Sequence, residues 1–479
     1  MQRSNYVTNS SLCFSVFTDQ QKDEIHSATL EVLADVGMEV NSEEALRLLK
    51  KEGAFVDGSR VKLPPNMVEK AIRSAPSRVV VSDRDGERKM FLEGNNFYFG
   101  TGPTVTYTLD PFTGEHRESC ISDTARASRV TDALPNIDYQ MDFGTPLDVT
   151  AEIMDVITFK TMMENSTKPI VHWAYNTKNL KAMIEMGIAL RGSLQALQEN
   201  PFFVIYTEPV TPLVHGMNAL DISMTMAEYN LPSIYTPAPQ SGISAPATLA
   251  GTIVMSCCES LSGLVVNQIV REGAPFIMGG VITIMDMSAT QITYGSPEFA
   301  IMAAGLSEMA HYYKIPMFST AGCSDSKCVD QQCASETAHN ILMAAISGGN
   351  LIHDVGYIAS GTCTSLLSLV ICDELIGKAK RMVRGIEVTD RTLAVDVIKA
   401  VGPGGNFLAQ RHTKDNLRNE WWFPTIHNRN RVGAWESKGK PTMGDAALEK
   451  LNGIVNMHHP PKLDPKVQAR LDDILKGLE

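Results

Sequence analysis

From about residue 95, short apolar runs alternate with long stretches in which apolar residues recur at helical spacing. The short runs are 97–99, 137–143, 170–173, 202–206, 233–235, 276–278, 317–319 and 351–353. The helical stretches are 122–134, 152–164, 180–196, 216–229, 248–271, 298–313, 336–346 and 366–384. Strand followed by helix, repeated in this way, predicts a TIM (β/α)8 barrel with a parallel sheet. Several runs are apolar throughout, as strands buried on both faces should be. A doubly wound open sheet would carry a Gly-rich phosphate turn after an early strand, and the sequence shows none.

The flanks have a different rhythm. Residues 18–36 carry apolar residues at Ile25, Ala28, Leu30, Val32, Leu33 and Val36 and read as a helix, with Gly37 as a stop. Ser42-Glu43-Glu44-Ala45 reads as a capped helix start, and 64–72 as a third helix. After Arg384 come the turn cluster Gly402-Pro403-Gly404-Gly405, an aromatic stretch at 420–424 and a charged helix at 464–478. Three regions are expected: a helical N-terminal extension (1–94), a barrel core (95–385), and a C-terminal extension (386–479) that wraps the barrel.

The chain has 479 residues, 44% hydrophobic and 20% charged, enough to bury a large core in one unit. A formal net charge of −12 argues against nucleic acid or an anionic membrane as partner and suits a cationic substrate. No uninterrupted run of apolar residues reaches membrane-spanning length, so no membrane span is expected. The first residues lack a basic segment followed by an apolar one, and the nine cysteines are scattered. Both features point to the cytoplasm. Cys323, Cys328 and Cys333 lack the tight spacing of a zinc knuckle, so no metal is expected there.

In a barrel of this kind the site lies at the C-terminal ends of the strands. The residues read there include Tyr98, Trp173, Tyr206, Tyr235 and Tyr357, together with His172, His353 and Glu208. No nucleophile paired with a base is recognisable among them.

Several motifs, in order, carry a resemblance. They are Phe99-Gly100-Thr101-Gly102, Asp110-Pro111-Phe112-Thr113-Gly114 and Lys168-Pro169-Ile170. The segment from Pro239 through Gly251 follows, then Gly273-Ala274-Pro275-Phe276-Ile277, Gly295-Ser296-Pro297-Glu298 and Asp325-Ser326-Lys327. Arg411-His412-Thr413 precedes Trp422 and Pro424. Across nearly its whole length the chain resembles the trimethylamine methyltransferase (MttB) superfamily. It departs from the trimethylamine enzymes in having no pyrrolysine. In this it is similar to members such as glycine betaine:corrinoid methyltransferase.

The resemblance implies a methyltransferase that demethylates a quaternary amine and methylates the Co(I) corrinoid of a partner protein. Glycine betaine is the first expectation; proline betaine, carnitine and γ-butyrobetaine are alternatives. A non-catalytic quaternary-amine binding protein on the same fold is another. The chain lacks an Asp-x-His-x-x-Gly motif, so cobalamin should arrive on its own protein. A homo-oligomer is expected. A quaternary ammonium leaves as a neutral tertiary amine, so no acid or base residue is needed. Aromatic faces attract such a cation at ~0.5–2 kcal/mol per ring. The tyrosines and Trp173 form the pool for a cage. His353 and His172 are the candidates to receive a betaine carboxylate, and Glu208 could oppose the ammonium charge.

Overall fold

A computed structural model of the protein describes residues 12–478. The expectation about a leader at the extreme N-terminus lies outside the described residues.

Seven of the eight expected strands form one parallel sheet: β1 (Tyr98–Phe99), β2 (Ile170–His172), β3 (Phe203–Thr207), β4 (Ser233–Tyr235), β5 (Phe276–Gly279), β6 (Met317–Thr320) and β7 (Leu351–His353). The order across the sheet is β1-β7-β6-β5-β4-β3-β2. Helices α1 (Ile121–Ala133), α2 (Met154–Asn165), α3 (Thr177–Arg191), α4 (Met217–Glu228), α5 (Leu249–Val270), α6 (Pro297–Tyr312), α7 (Gln331–Ser347) and α8 (Leu366–Val383) run between and after the strands.

The sheet curls until both edge strands approach one segment. Gly100 bridges Tyr139 beside β1, and Gln140 bridges Ile170 of β2. The expected strand at 137–143 is therefore present only as isolated bridges. Side chains replace part of its ladder. Met141 donates its N–H to Thr101 Oγ1 at 2.7 Å, and the Thr101 hydroxyl donates to the Met141 carbonyl at 3.1 Å. At Phe143 the backbone turns left-handed, with φ of +57°.

Alternation along the strands sorts the core. Phe99, Phe203, Ile205, Phe276, Met278 and Ile352 pack into clusters that include flanking helix residues. Tyr98, Tyr139, Val171, Val204, Ile234, Ile277, Phe318 and Leu351 share a separate cluster on the concave face. Val79, Val81, Met90 and Leu92 complete that cluster from a hairpin, Val79–Ser82 with Arg88–Leu92. The hairpin covers the end from which the strands start: Ser82 N–H donates to Pro201 O, and Arg84 N–H to Thr167 O.

The N-terminal extension is thus not purely helical. Helices Asp19–Glu31, Glu43–Lys51 and Pro65–Ser74 are present, but so are strands Met38–Val40, Phe55–Asp57 and Arg60–Lys62 besides the hairpin. The turns at Asp57-Gly58 and Asp85-Gly86 explain this. Both glycines sit in the left-handed region, with φ of +61° and +96°, and Asp-Gly between β-branched residues is a hairpin signal. One strand of the extension, Met38–Val40, pairs with Val214–His215 in the loop after β3. That loop is also held by Glu259, which accepts from Leu213 N–H at 2.7 Å and Thr211 Oγ1 at 2.9 Å.

At the C-terminus, helix Met443–Met457 packs on α8 and α1, and helix Pro465–Lys476 on α3 and α2. Between them and α8, the short helices from Asp390 to Glu436 contain no buried residue. The wrapping is done by the last two helices and by the segment at 425–427, where Ile426 is buried and Glu374 of α8 accepts from the Thr425, Ile426 and His427 N–H groups. Helix α5 is long and apolar enough to cross a membrane by length and composition, although polar residues interrupt its apolar run. Most of it is buried against helices Asp19–Glu31 and Pro65–Ser74, α4, α6 and β5.

The Thr101 hydroxyl is the link that stands in for strand pairing. Replacing it in Thr101→Val leaves the buried Met141 amide unpaired and should destabilise the protein by about 1–3 kcal/mol in urea unfolding. A change within a few tenths of a kcal/mol would show that the link contributes nothing.

Candidate active site

At the C-terminal end of the concave face, strand alternation brings specific side chains inward. On β3 Tyr206 points in, Thr207 out and Glu208 in again; Tyr206 stacks on Phe318 of β6, with ring centroids 6.3 Å apart. After β2, Trp173 joins the same concave cluster and donates its indole N–H to Asp142 Oδ2 at 3.2 Å. His353 ends β7 and lies flat on Phe318, centroids 4.0 Å apart. Asp354 follows with φ of +71°, a strained conformation for a residue with a Cβ. Gly102 makes room for it: a Cβ there would stand 2.4 Å from Asp354 Oδ1 and 2.5 Å from the Tyr357 ring.

Asp142, Glu208 and Asp354 form the chemical centre. Burial pushes Asp354 up to about 7, and burial with the nearby Asp354 charge pushes Glu208 up to about 7. Burial raises Asp142 to about 6, although Trp173 and backbone N–H groups favour its ionised form. Tyr206 and Tyr357 lie well above the ordinary phenol range, chiefly through burial and then through these carboxyls. Tyr139 and Tyr294 feel Asp354 as well. Glu208 has a large exposed area yet is enclosed by protein, which describes a carboxyl on the wall of a hollow open to water. Asp142 Oδ1 and the Tyr139 hydroxyl are buried without a partner.

His353 is neutral. Burial lowers it to about 4, and its Nδ1 contacts the Ser319 carbonyl at 2.8 Å. A carbonyl only accepts, so Nδ1 carries the proton and Nε2 is left as an acceptor. Its Nε2 is 3.6 Å from Asp354 Oδ1, too far for a hydrogen bond, and a neutral ring makes no ion pair.

The structure brings together Trp173, Tyr206, Glu208, His353 and Tyr357 from the sequence candidates. Three others lie elsewhere. Tyr98 is on the concave face but at the opposite end, where its hydroxyl accepts from the Phe91 N–H of the hairpin at 3.1 Å. His172 points outward, stacked on Phe159 of α2 with its Nε2 2.9 Å from Asp155 O. Tyr235 also points outward; its hydroxyl meets His215 Nδ1 at 2.6 Å, and its ring packs on Gly263 of α5. Asp142 and Asp354 stand at strand ends in the sequence but were given no role there; Tyr139 and Tyr294 were not among the candidates. For the two aspartates the signal was their place just past a strand, where a buried apolar run gives way to an acid. Among the described residues no cluster of three His, Cys, Asp or Glu is arranged to hold a metal ion.

The family model for trimethylamine methyltransferase (MTTB) matches residues 1–477. This chain belongs to that family. It is 32% identical to trimethylamine methyltransferase MttB of Desulfitobacterium hafniense over 97% of this chain and 94% of that one. It is 29% identical to glycine betaine methyltransferase of Desulfitobacterium hafniense over 96% of each chain. The monomethylamine methyltransferase MtmB of Methanosarcina barkeri shares the fold, with a TM-score of 0.51 at 12% identity over 97% of this chain and 88% of that one. The protein is a methyltransferase of α/β fold built on a curled parallel sheet.

The buried carboxyls imply a pH signature in the unliganded protein. Folded Asp354 keeps its proton up to about pH 7, whereas an unfolded Asp releases it near pH 4. The folded state therefore binds more protons between these values, and Asp354 lowers stability progressively as pH rises through that window. Asp354→Asn should be more stable than the parent at pH 8 and lose most of that advantage at pH 4.5, read by thermal unfolding. A constant difference across this range would count against the assignment.

Proposed function

We propose that this enzyme takes a methyl group from a quaternary ammonium and delivers it to the cobalt of a corrinoid carried by a partner protein. In this reading the sheet is a closed eight-stranded barrel, with 139–140 as its remaining strand, and the site is its C-terminal mouth. The observation that carries the reading is a hollow with aromatic walls and three carboxyls, Asp142, Glu208 and Asp354, that no cationic side chain among the described residues neutralises.

A quaternary nitrogen departs as a neutral tertiary amine, so the bond to methyl can break without a proton donor. The absence of a nucleophile–base pair is consistent with that chemistry. Trp173 and Tyr206 offer ring faces to the cation, and the carboxyls supply its counter-charge. Carboxylates alone would favour the cationic ground state, and that attraction would oppose a reaction that removes the charge. Here burial favours their protonated forms, so a proton taken from water can replace the cation as the neutral amine forms. Phe143, Tyr294 and Tyr357 shield this end from solvent and hold the amine in one orientation.

When bound, the corrinoid supplies the low-valent cobalt that accepts the methyl group. The rim suits such a visitor. Leu147, Tyr175, Val210, Ile243 and Met287 are exposed on the loops that follow 139–140 and strands β2 to β5 in turn. Exposed apolar groups around a mouth mark a contact surface for a flat macrocycle and its carrier.

Mixing the protein with reduced cobalamin and a panel of quaternary amines should convert Co(I) to methyl-Co(III), followed by absorbance. No conversion with any amine removes the reading. Trp173→Ala and Tyr206→Ala should each weaken amine binding by roughly 2–30-fold, the equivalent of ~0.5–2 kcal/mol for a lost ring. A bound cation ionises the carboxyls, so proton release should accompany binding in calorimetry. Affinity should rise from pH 5 to pH 7, by up to about tenfold per pH unit for each carboxyl that ionises. A pH-independent affinity would separate the carboxyls from the amine.

A further inference from the structure

We propose that the amine accepted here carries no carboxylate of its own: a cation of the tetramethylammonium or choline kind, not a betaine. This rests on the quaternary-ammonium reading above and narrows it. Three independent features of the hollow support it.

The first is the charge pattern at its wall. The segments just past the strands are 100–104, 141–145, 173–176, 208–211, 236–240, 280–283, 321–325 and 354–357, and none contains Lys or Arg. They contribute Asp142, Glu208, Asp325 and Asp354 instead, of which Asp325 is spent on the Tyr294 and Gly295 N–H groups and the Ser360 hydroxyl. The Arg117 guanidinium, in the short strand His116–Glu118, is committed to Asp110 and Asp123. Lys327 is exposed and donates to the Asp325 carbonyl.

The second is the use already made of the histidines. A betaine carboxylate needs a cation or a hydrogen-bond donor. His353 spends its proton on the Ser319 carbonyl and turns an acceptor nitrogen toward Asp354. A carboxylate placed against that nitrogen would find no hydrogen. His172 sits on the far side of the sheet, against α2.

The third is that this end of the concave face holds unmet polar groups suited to a ligand. The Tyr139 hydroxyl and Asp142 Oδ1 are fully enclosed and have no partner. Asp354 acts on Tyr139, Tyr206, Tyr294, Tyr357 and Glu208 alike, so it stands at the centre of the group. A betaine carries its negative charge only a few bonds from its nitrogen. With the ammonium among these carboxyls, that charge would lie among like charges in surroundings of low polarity, where repulsion is strong. A cation without a carboxylate gains the attraction and meets no repulsion.

Isothermal calorimetry with the full chain at pH 8 tests this, using tetramethylammonium and glycine betaine as probes. Tetramethylammonium should bind at least tenfold more tightly than glycine betaine. Asp354→Asn should weaken tetramethylammonium and shrink that ratio; Asp142→Asn serves the same purpose should the first variant fail to fold by circular dichroism. Glycine betaine binding as tightly as tetramethylammonium, or more tightly, overturns the inference. Should glycine betaine then also methylate Co(I) cobalamin, the methyltransferase reading stands and only the narrowing falls. Binding of neither probe, with no cobalt methylation by any amine, overturns both.

Discussion

Side chains along a β-strand alternate between two faces, and a curled sheet has only one inside. That single geometric rule decides which residues of this protein can meet a substrate. On β3 it presents Tyr206 and Glu208 to the hollow and gives Thr207 to the outer layer. After β2 it turns Trp173 inward and leaves His172 against α2. On β4 it turns Ile234 inward and Tyr235 against α5. The same rule gives a lower layer of large apolar side chains, closed by the hairpin, on which the polar upper layer stands. The concave face is thus packed solid at one end and open and acidic at the other.

Keeping three carboxyls in such a place is costly, and the local backbone shows how they are held. Asp354, Thr104 and Phe143 all have positive φ, at +71°, +59° and +57°. Strain of this kind persists only where the surroundings over-determine it. Gly102 allows Asp354 and Tyr357 to lie against the chain, and Thr101 ties the neighbouring segment to Met141. Glu259 and the strand Met38–Val40 hold the loop after β3, and so fix where Glu208 begins it. The N-terminal extension therefore contributes to the placing of the site. Stability must come from elsewhere: from the layers between sheet and helices, and from the two last helices clamped on α8, α1, α3 and α2.

In the proposed reading, protonation couples this architecture to methyl transfer. A hollow whose carboxyls are partly protonated when empty, and ionise further as a cation enters, would bind a quaternary ammonium without keeping a fixed excess of charge. It would take protons back as the amine loses its own charge. An aromatic cage without acids would bind the same cation but offer no such response to pH. The acids also restrict what may accompany the cation, because the site has counter-charge for an ammonium and none for a second anion.

The strand–helix rhythm, the apolar runs and the order of motifs were enough to anticipate the parallel sheet, the flanking helices and the family, because these depend on local periodicity and on residues close in sequence. Tyr206, Trp173, Glu208, His353 and Tyr357 could be placed for the same reason: each lies at or just past a strand end. Which way Tyr235, His172 and Tyr98 faced, and at which end, depended on pleat phase and on the hairpin that occupies the opposite end. Asp142 and Asp354 gain their meaning only from being brought beside Glu208 from distant parts of the chain on either side of it. Charge, burial and the absence of a neighbouring cation are properties of that assembly in space, and only the tertiary structure could decide them.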